Sequence, residues 1–316
     1  MVRAVVVAGA MCAALAVGAA ASPSAPATAT ANCERTSVGL LPLKDLGEKT
    51  YQGFAGGLYP GGANVPSGTY LTEGKQAART VVPRGPGGSP LAGGQIVLLS
   101  IGMSNTTQEF QVFMSVASAD KSVSSRVRLV DGAQGGHDVE RVKNPADPYW
   151  TRIDQRLAGA GVTARQVQVV WVKQAVARET RPFPEDARGL QSSLRSVVSI
   201  LRARYPNLKL VYLSSRTYAG YATTPLNPEP YAYQSGFAVK WLIQERIDGK
   251  IRGPWLGWGP YLWTDGTKGR KDGLMWTCED VRSDGTHPSP SGQAKVGGLL
   301  LRFFKSNATT RDWFRS

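Results

Sequence analysis

The chain has 316 residues, of which 42% are hydrophobic and 19% charged, a balance that suits a packed globule and excludes a disordered chain. Lys and Arg number 37 against 23 Asp and Glu, a formal net charge of +14. The basic residues are scattered without a stripe or run, which argues against a nucleic-acid partner and for a basic surface facing an anionic cell wall or polysaccharide.

The N-terminus sets the expected compartment. Met1-Val2-Arg3 is a short basic opening, an apolar run follows from Ala4 to about Ala20, and an Ala/Ser/Pro/Thr stretch continues to Ala31. This is the pattern of a secretory signal peptide, short and small-sided for a membrane span, with an uncleaved anchor as the competing reading. No other stretch is long and apolar enough to cross a bilayer, so the expected product is secreted and extracellular. Loss of the leader removes Cys12 and leaves Cys33 and Cys278, which suggests one disulfide, with two independent thiols as the alternative. The expected division is leader and linker over 1–31, a Gly/Pro-rich extension over 32–94 and the main domain over 95–316.

Within the extension, Gly56-Gly57, Pro60-Gly61-Gly62 and Pro86-Gly87-Gly88 mark turns, with room for a short strand or hairpin. From Gln95 the pattern changes. Ile96 to Gly102 is a continuous apolar run of strand length, and Asn105 to about Ala119 follows as a helix with Phe110, Phe113 and Met114 on one face. Arg126 to Val130 predicts a second strand and Thr151 to Ala160 a second helix. Val167 to Val172 predicts a third strand, followed by a helix from Glu185 to Tyr205 with Leu190, Leu194, Val197, Val198 and Leu201 at helical spacing. Leu208 to Leu213 predicts a fourth strand, Gly236 to Ile247 a further helix and Ser291 to about Lys305 the last one. Alternating apolar strands and amphipathic helices imply a parallel sheet covered on both faces, with chemistry at the carboxyl ends of the strands.

Two segments fall at that edge. In Ser100-Ile101-Gly102-Met103-Ser104-Asn105 the first strand turns into the first helix, where free N–H groups and the positive dipole end favour developing negative charge. In Ser283-Asp284-Gly285-Thr286-His287-Pro288-Ser289-Pro290-Ser291-Gly292, just before the last helix, Asp284 is three residues from one of the chain's two histidines. An imidazole is the readiest general base near neutral pH, and an acid must fix its tautomer.

Together, Gly102-Met103-Ser104 and the DGTHPSPSG string resemble the SGNH (GDSL-type) hydrolase superfamily over roughly Gln95 to the C-terminus. The resemblance implies a flavodoxin-like three-layer α/β/α sandwich with Ser104 as nucleophile, His287 as general base and Asp284 as the residue that orients it. It also implies an oxyanion hole built from the Ser104 N–H, a glycine after strand two (Gly135 preferred over Gly132) and a side-chain donor after strand three. The Trp171-Val172-Lys173-Gln174 end of that strand is similar to the Trp-x-Gln block of the carbohydrate O-acetylesterase branch, which makes Gln174 the candidate third donor. The alternative is that Lys173 is a surface residue and Gln174 a simple loop brace.

The other histidine, His137, is read as substrate-facing or structural. Asn105, His137, Tyr218 and Trp258 are the candidate substrate-binding residues, the last two from an aromatic-rich stretch between Ser214 and Trp276 that suits packing or sugar stacking. Arg216 and Glu229 in that stretch are further candidates for hydrogen bonding a substrate. No cofactor is called for, and two His with two Cys leave no ligand cluster at zinc spacing. The expected function is a secreted serine esterase acting on short-chain esters, O-acetyl groups on carbohydrate foremost. The alternatives are a non-catalytic polysaccharide- or cell-surface-binding protein on the same fold, or a lipase- or acyltransferase-type enzyme.

Overall fold

The computed structural model describes residues 1, 2, 4, 5 and 30–316; almost all of the expected leader, Cys12 included, lies outside them. The extension runs through a short helix α1 (Leu43–Leu46), a hairpin of β1 (Thr50–Tyr51) and β2 (Phe54–Ala55), and a 12-residue helix α2 (Gly68–Arg79). The main domain then alternates β3 (Ile96–Gly102), α3 (Ser104–Ala119), β4 (Val127–Asp131), α4 (Val139–Val142), α5 (Pro148–Gly159) and β5 (Val167–Lys173). It continues with α6 (Glu185–Arg204), β6 (Leu210–Ser214), α7 (Tyr231–Ile247), β7 (Trp255–Trp258), α8 (Pro290–Ser306) and α9 (Arg311–Phe314).

The five long-range strands form one parallel sheet in the order β4-β3-β5-β6-β7, the flavodoxin-like order expected. Its central strands β3, β5 and β6 are buried at every residue, which is why they read as continuous apolar runs. Alternation sends Trp171 and its register partner Tyr212 to one face, where Phe110 of α3 stacks on Trp171 and Phe303 and Phe304 of α8 meet Tyr212. Helices α3 and α8 pack together, as do α6 and α7.

Two elements escaped the sequence reading. Helix α2 buries only Tyr70, Gly74 and Ala78, a stripe too small-sided to announce itself as amphipathic. Strand β7 has four residues with a glycine inside, and its aromatics looked like loop residues. The two missed elements belong together: the Trp255 indole N–H donates to the Tyr70 carbonyl at 3.0 Å, and the Tyr70 hydroxyl to the Leu256 carbonyl at 2.6 Å. The extension thus covers the β7 edge of the sheet. Helix α7 starts five residues before the expected Gly236, a glycine seated in the helix interior because Leu43 presses on it. Helix α5 starts at Pro148 rather than Thr151, with Asp147 as its cap accepting from the Tyr149 N–H at 2.9 Å.

Cys33 and Cys278 are joined in a disulfide with Cα atoms 5.3 Å apart, closing a sequence separation of 245 residues. It ties the start of the extension to the turn that precedes Asp284. Replacing both cysteines by serine is expected to lower unfolding stability by about 4 kcal/mol, read from denaturant midpoints. Equal midpoints for the two proteins would refute a stabilising role. Among the described residues no helix is long and apolar enough to cross a membrane.

Candidate active site

Strand β3 ends at Gly102, and Ser104 opens α3 with Met103 in extended backbone between them. A Cβ at Gly102 would collide with the Thr106 side chain, so glycine is what lets the first turn of α3 fold back over the strand end. The Thr106 hydroxyl donates to the Lys173 carbonyl at 2.8 Å, fixing that turn to β5. Ser104 therefore sits in the first turn, where backbone N–H groups lack helical partners.

The opposite half of the site is a loop clamped at its base. Val281 bridges Pro288, the Arg282 N–H donates to the His287 carbonyl at 2.8 Å, and Asp280 accepts from the Ser291 hydroxyl at 2.7 Å. Gly285 has φ +63°, and a Cβ there would run into the Tyr221 carbonyl, so this bend requires glycine. The bend turns Asp284 back on His287: Oδ1 accepts from the Thr286 and His287 N–H groups at 2.9 Å each, and Oδ2 lies 2.5 Å from His287 Nδ1. His287 Nε2 lies 2.8 Å from Ser104 Oγ. Residues 183 apart in sequence are thus in hydrogen-bond contact. Burial pushes the Asp284 carboxyl up, but the hydrogen bonds from His287 and Thr286 outweigh it and hold the group below the usual carboxylate range.

The loop after β4 supplies the third side. Ser100 Oγ donates to Asp131 at 2.7 Å and accepts from the Gly132 N–H at 3.1 Å, which spends the Gly132 donor. Gly135 faces Ser104: a Cβ built on it would stand 3.7 Å from the Ser104 Cβ. Among the described residues the Gly135 N–H has no acceptor. Gln134 anchors the loop from below, its N–H donating to the Gly102 carbonyl at 3.0 Å and its amide to the Tyr149 carbonyl at 2.9 Å.

His137 is buried and engaged with the same loop, its Nδ1–H donating to the Gly135 carbonyl at 2.9 Å. Gln174, expected to reach the oxyanion, instead donates from its amide nitrogen to the His137 carbonyl at 3.1 Å. The two side chains form a chain of contacts, β5 to His137 to Gly135, that fixes the Gly135 peptide. Asn105 is buried beside Ser104 with its Oδ1 lacking a partner.

Lys173 is not a surface residue. It is 0% exposed and its ammonium grips both oxygens of Glu109 at 2.5 Å. It shares the face of Trp171 on β5, and that face is covered by α3, so the strand's terminal cation meets the one acid on the buried side of the helix. Burial lowers the Lys173 pKa to about 8 despite Glu109. Removing one partner of such a pair costs about 3–5 kcal/mol. The sequence signal was Glu109 next to Phe110 on the helical face that also carries Phe113 and Ala117.

The remaining candidates are engaged elsewhere. The Tyr218 hydroxyl donates to the Arg35 carbonyl at 2.6 Å, and the Trp258 indole to the Leu58 carbonyl at 2.8 Å, both holding the extension. Trp258 lines a cavity of about 570 Å³ together with Tyr59, Tyr261 and Arg302, and neither Ser104, Asp284 nor His287 borders it. Glu229 is buried and accepts from Ala219 N–H, Tyr233 N–H and the Trp263 indole at 2.9, 3.0 and 2.7 Å, which makes it the organiser of the loop after β6.

No family model matches the sequence, and no curated protein matches it. Among solved structures, the chain is similar to a lipase/acylhydrolase from Enterococcus faecalis at 13% identity, over 66% of this chain and 95% of that one, with a TM-score of 0.43. It is also similar to Axe2, an acetylxylan esterase from Geobacillus stearothermophilus, at 18% identity over 70% of this chain and 96% of that one, with a TM-score of 0.40. A putative acylhydrolase from Bacteroides fragilis aligns at 12% identity over 75% and 97%, again with a TM-score of 0.40. Likeness at this level leaves the reading of the site to its own geometry.

Proposed function

We propose that this chain is a secreted serine esterase of the SGNH type that hydrolyses short-chain carboxylic esters, with O-acetyl groups on carbohydrate as the leading substrate class. The observation that carries the reading is the continuous relay from Ser104 Oγ to His287 Nε2 at 2.8 Å and from His287 Nδ1 to Asp284 at 2.5 Å. With Nδ1–H held by Asp284, the Nε2 lone pair faces the serine hydroxyl and can take its proton as Oγ attacks the ester carbonyl. The N–H groups of Ser104 and Gly135 are the donors we assign to the resulting oxyanion, with Gln174 acting on Gly135 through His137. The imidazolium then returns its proton to the departing alcohol, leaving an acyl-serine. Water, deprotonated by the same imidazole, releases the acid and restores the hydroxyl. The disulfide supports export to an oxidising compartment.

A fluorophosphonate probe tests the nucleophile. It is expected to label Ser104 alone, as read by peptide mass spectrometry, with labelling abolished in His287→Ala. A p-nitrophenyl series is expected to turn over fastest at acetate and to fall through butyrate to longer chains. An unlabelled, fully folded protein would overturn the esterase reading in favour of a binding role, and a preference for long chains would favour a lipase.

A further inference from the structure

Helix α8 presents two faces. Val296, Leu300 and Phe304 are buried in the core. Lys295, Leu299, Arg302, Phe303 and Ser306 follow the i, i+4, i+7, i+8, i+11 spacing of a second stripe, and this stripe lines the cavity of about 570 Å³ that Trp258 borders. The extension lines it through Leu58, Tyr59, Asn64 and Val65, and the segment that leaves β7 through Trp258 to Tyr261. Val65 and Arg302 are exposed while Tyr59, Trp258 and Tyr261 are buried, so the space opens to solvent at one side and closes on aromatic side chains at the other.

The polar ends of those aromatics are engaged with backbone. Tyr59 Oη accepts from the Trp258 N–H and Tyr261 Oη from the Leu43 N–H, at 3.1 Å each, and the Trp258 indole donates to the Leu58 carbonyl at 2.8 Å. They hold the shape of the cavity and, with the half-buried Leu274, Leu299 and Phe303, give it an apolar lining. Its charged residues are four cations, Lys44, Arg270, Lys295 and Arg302, against one acid, Asp272. That acid is already shared: it accepts from Arg270 Nε and Nη2 at 2.9 Å each and from Lys44 at 2.7 Å. Burial pushes the Asp272 carboxyl up, but these hydrogen bonds outweigh it and hold the group far below the usual carboxylate range. Lys295 reaches Asp280, which does not border the cavity, at 2.5 Å. Arg302 is exposed, and among the described residues its guanidinium makes neither a hydrogen bond nor an ion pair.

We propose that this cavity is an accessory binding site for an anionic sugar, separate from Ser104, through which the protein holds an acidic polysaccharide. A sugar ring has C–H faces that match the aromatic and aliphatic lining, and hydroxyls that Asn64 Oδ1 and Ser306 Oγ have lone pairs to accept. An anionic substituent on the ring meets the surplus of cations and completes the planar fork of Arg302. The net charge of +14 draws anionic polymers to the surface as a whole, and the cavity gives them one specific hold. The site lies on the helix that follows the catalytic loop: α8 opens at Pro290, and Asp280 joins Lys295 to Ser291 at the base of that loop. The proposal is independent of the esterase reading, since no step in it involves the Ser104 hydroxyl.

The test uses three sugars that differ only at carbon six: glucuronate, glucose 6-phosphate and glucose. Their affinities for the full-length protein are read by ligand-observed NMR titration at fixed ionic strength. The wild type is expected to bind at least one of the two anions about tenfold more tightly than glucose, the worth of charge-assisted hydrogen bonds, and the tighter of the two names the anion. Arg302→Gln is expected to shrink that preference to within about threefold, with Arg302→Lys between. Arg302 is exposed, so both variants are expected to melt like the wild type and to turn over p-nitrophenyl acetate unchanged. Removing one charge from a net of +14 barely alters the general field, so a loss of this size identifies the cavity itself. Ser104→Ala is expected to bind the sugars as the wild type does. Equal affinity for all three sugars, a preference that survives in Arg302→Gln, or binding lost in Ser104→Ala would overturn the accessory site. Inorganic phosphate bound as tightly as glucose 6-phosphate, with glucuronate no better than glucose, would overturn it as a sugar site. Fluorophosphonate labelling of Ser104 is untouched by each of these outcomes, so this proposal and the esterase reading fail separately.

Discussion

Ser104→Ala and His287→Ala are each expected to lower kcat by roughly 10⁵- to 10⁶-fold, and the double variant is expected to be no worse than either. The equality follows from the geometry. The serine hydroxyl is a weak nucleophile until His287 Nε2, 2.8 Å away, accepts its proton, and the imidazole has nothing to deprotonate once the hydroxyl is gone. What survives is the share contributed by the N–H groups of Ser104 and Gly135 and by substrate binding, which neither substitution removes. Neither change is expected to unfold the protein, because both side chains are partly exposed and neither belongs to the apolar core. Matched thermal melts together with turnover of a p-nitrophenyl ester make the check. A folded Ser104→Ala protein with undiminished turnover would remove the nucleophile from the mechanism, and multiplicative losses in the double variant would show that the two residues do not act as a unit.

Much of this arrangement was written locally. The strands at Ile96, Val167 and Leu210 are short apolar runs because both faces of a central parallel strand are covered, and such runs need no partner to be recognised. Asp284 and His287 were legible because three residues and a glycine suffice to fold one back on the other. What was illegible depends on partners distant in sequence. Lys173 at a strand end looked solvated because Glu109, the acid that holds it, lies 64 positions away. Gln174 was placed at the correct edge of the sheet, but its rotamer is set by the His137 carbonyl, which no spacing rule anticipates. Helix α2 and strand β7 are weak signals that become stable only against each other, Gly74 making room for the Trp255 ring. Glu109, Glu229 and Asp284, whose charges bear on the buried Arg216, lie on three separate segments, so their nearness is visible only in three dimensions.

Asp284→Asn is expected to lower kcat by about 10³- to 10⁴-fold while leaving KM within a few-fold. Asp284 Oδ2 accepts the Nδ1 proton and Oδ1 is pinned by two backbone N–H groups, so the carboxylate is fixed before it orients the ring. An asparagine keeps the size but presents one acceptor and one donor. If its amide N–H turns to Nδ1, the imidazole is held in the tautomer whose Nε2 carries hydrogen, and that nitrogen can no longer take the Ser104 proton. Charge is lost as well, since the imidazolium formed during attack is no longer compensated. The same carboxylate bears on stability, and its sign is determined. Its folded pKa is depressed, so the stabilisation is present above the unfolded carboxylate value of about 4 and is lost as pH falls through the folded value. The melting deficit of Asp284→Asn is therefore expected at pH 7 and should close as the pH is taken below about 4. A deficit that persists undiminished in acid would mean that the loop owes its order to the Asp280 and Gly285 contacts rather than to the charge of Asp284. Wild-type turnover in Asp284→Asn would leave His287 oriented by packing alone and reduce the triad to a Ser104–His287 pair.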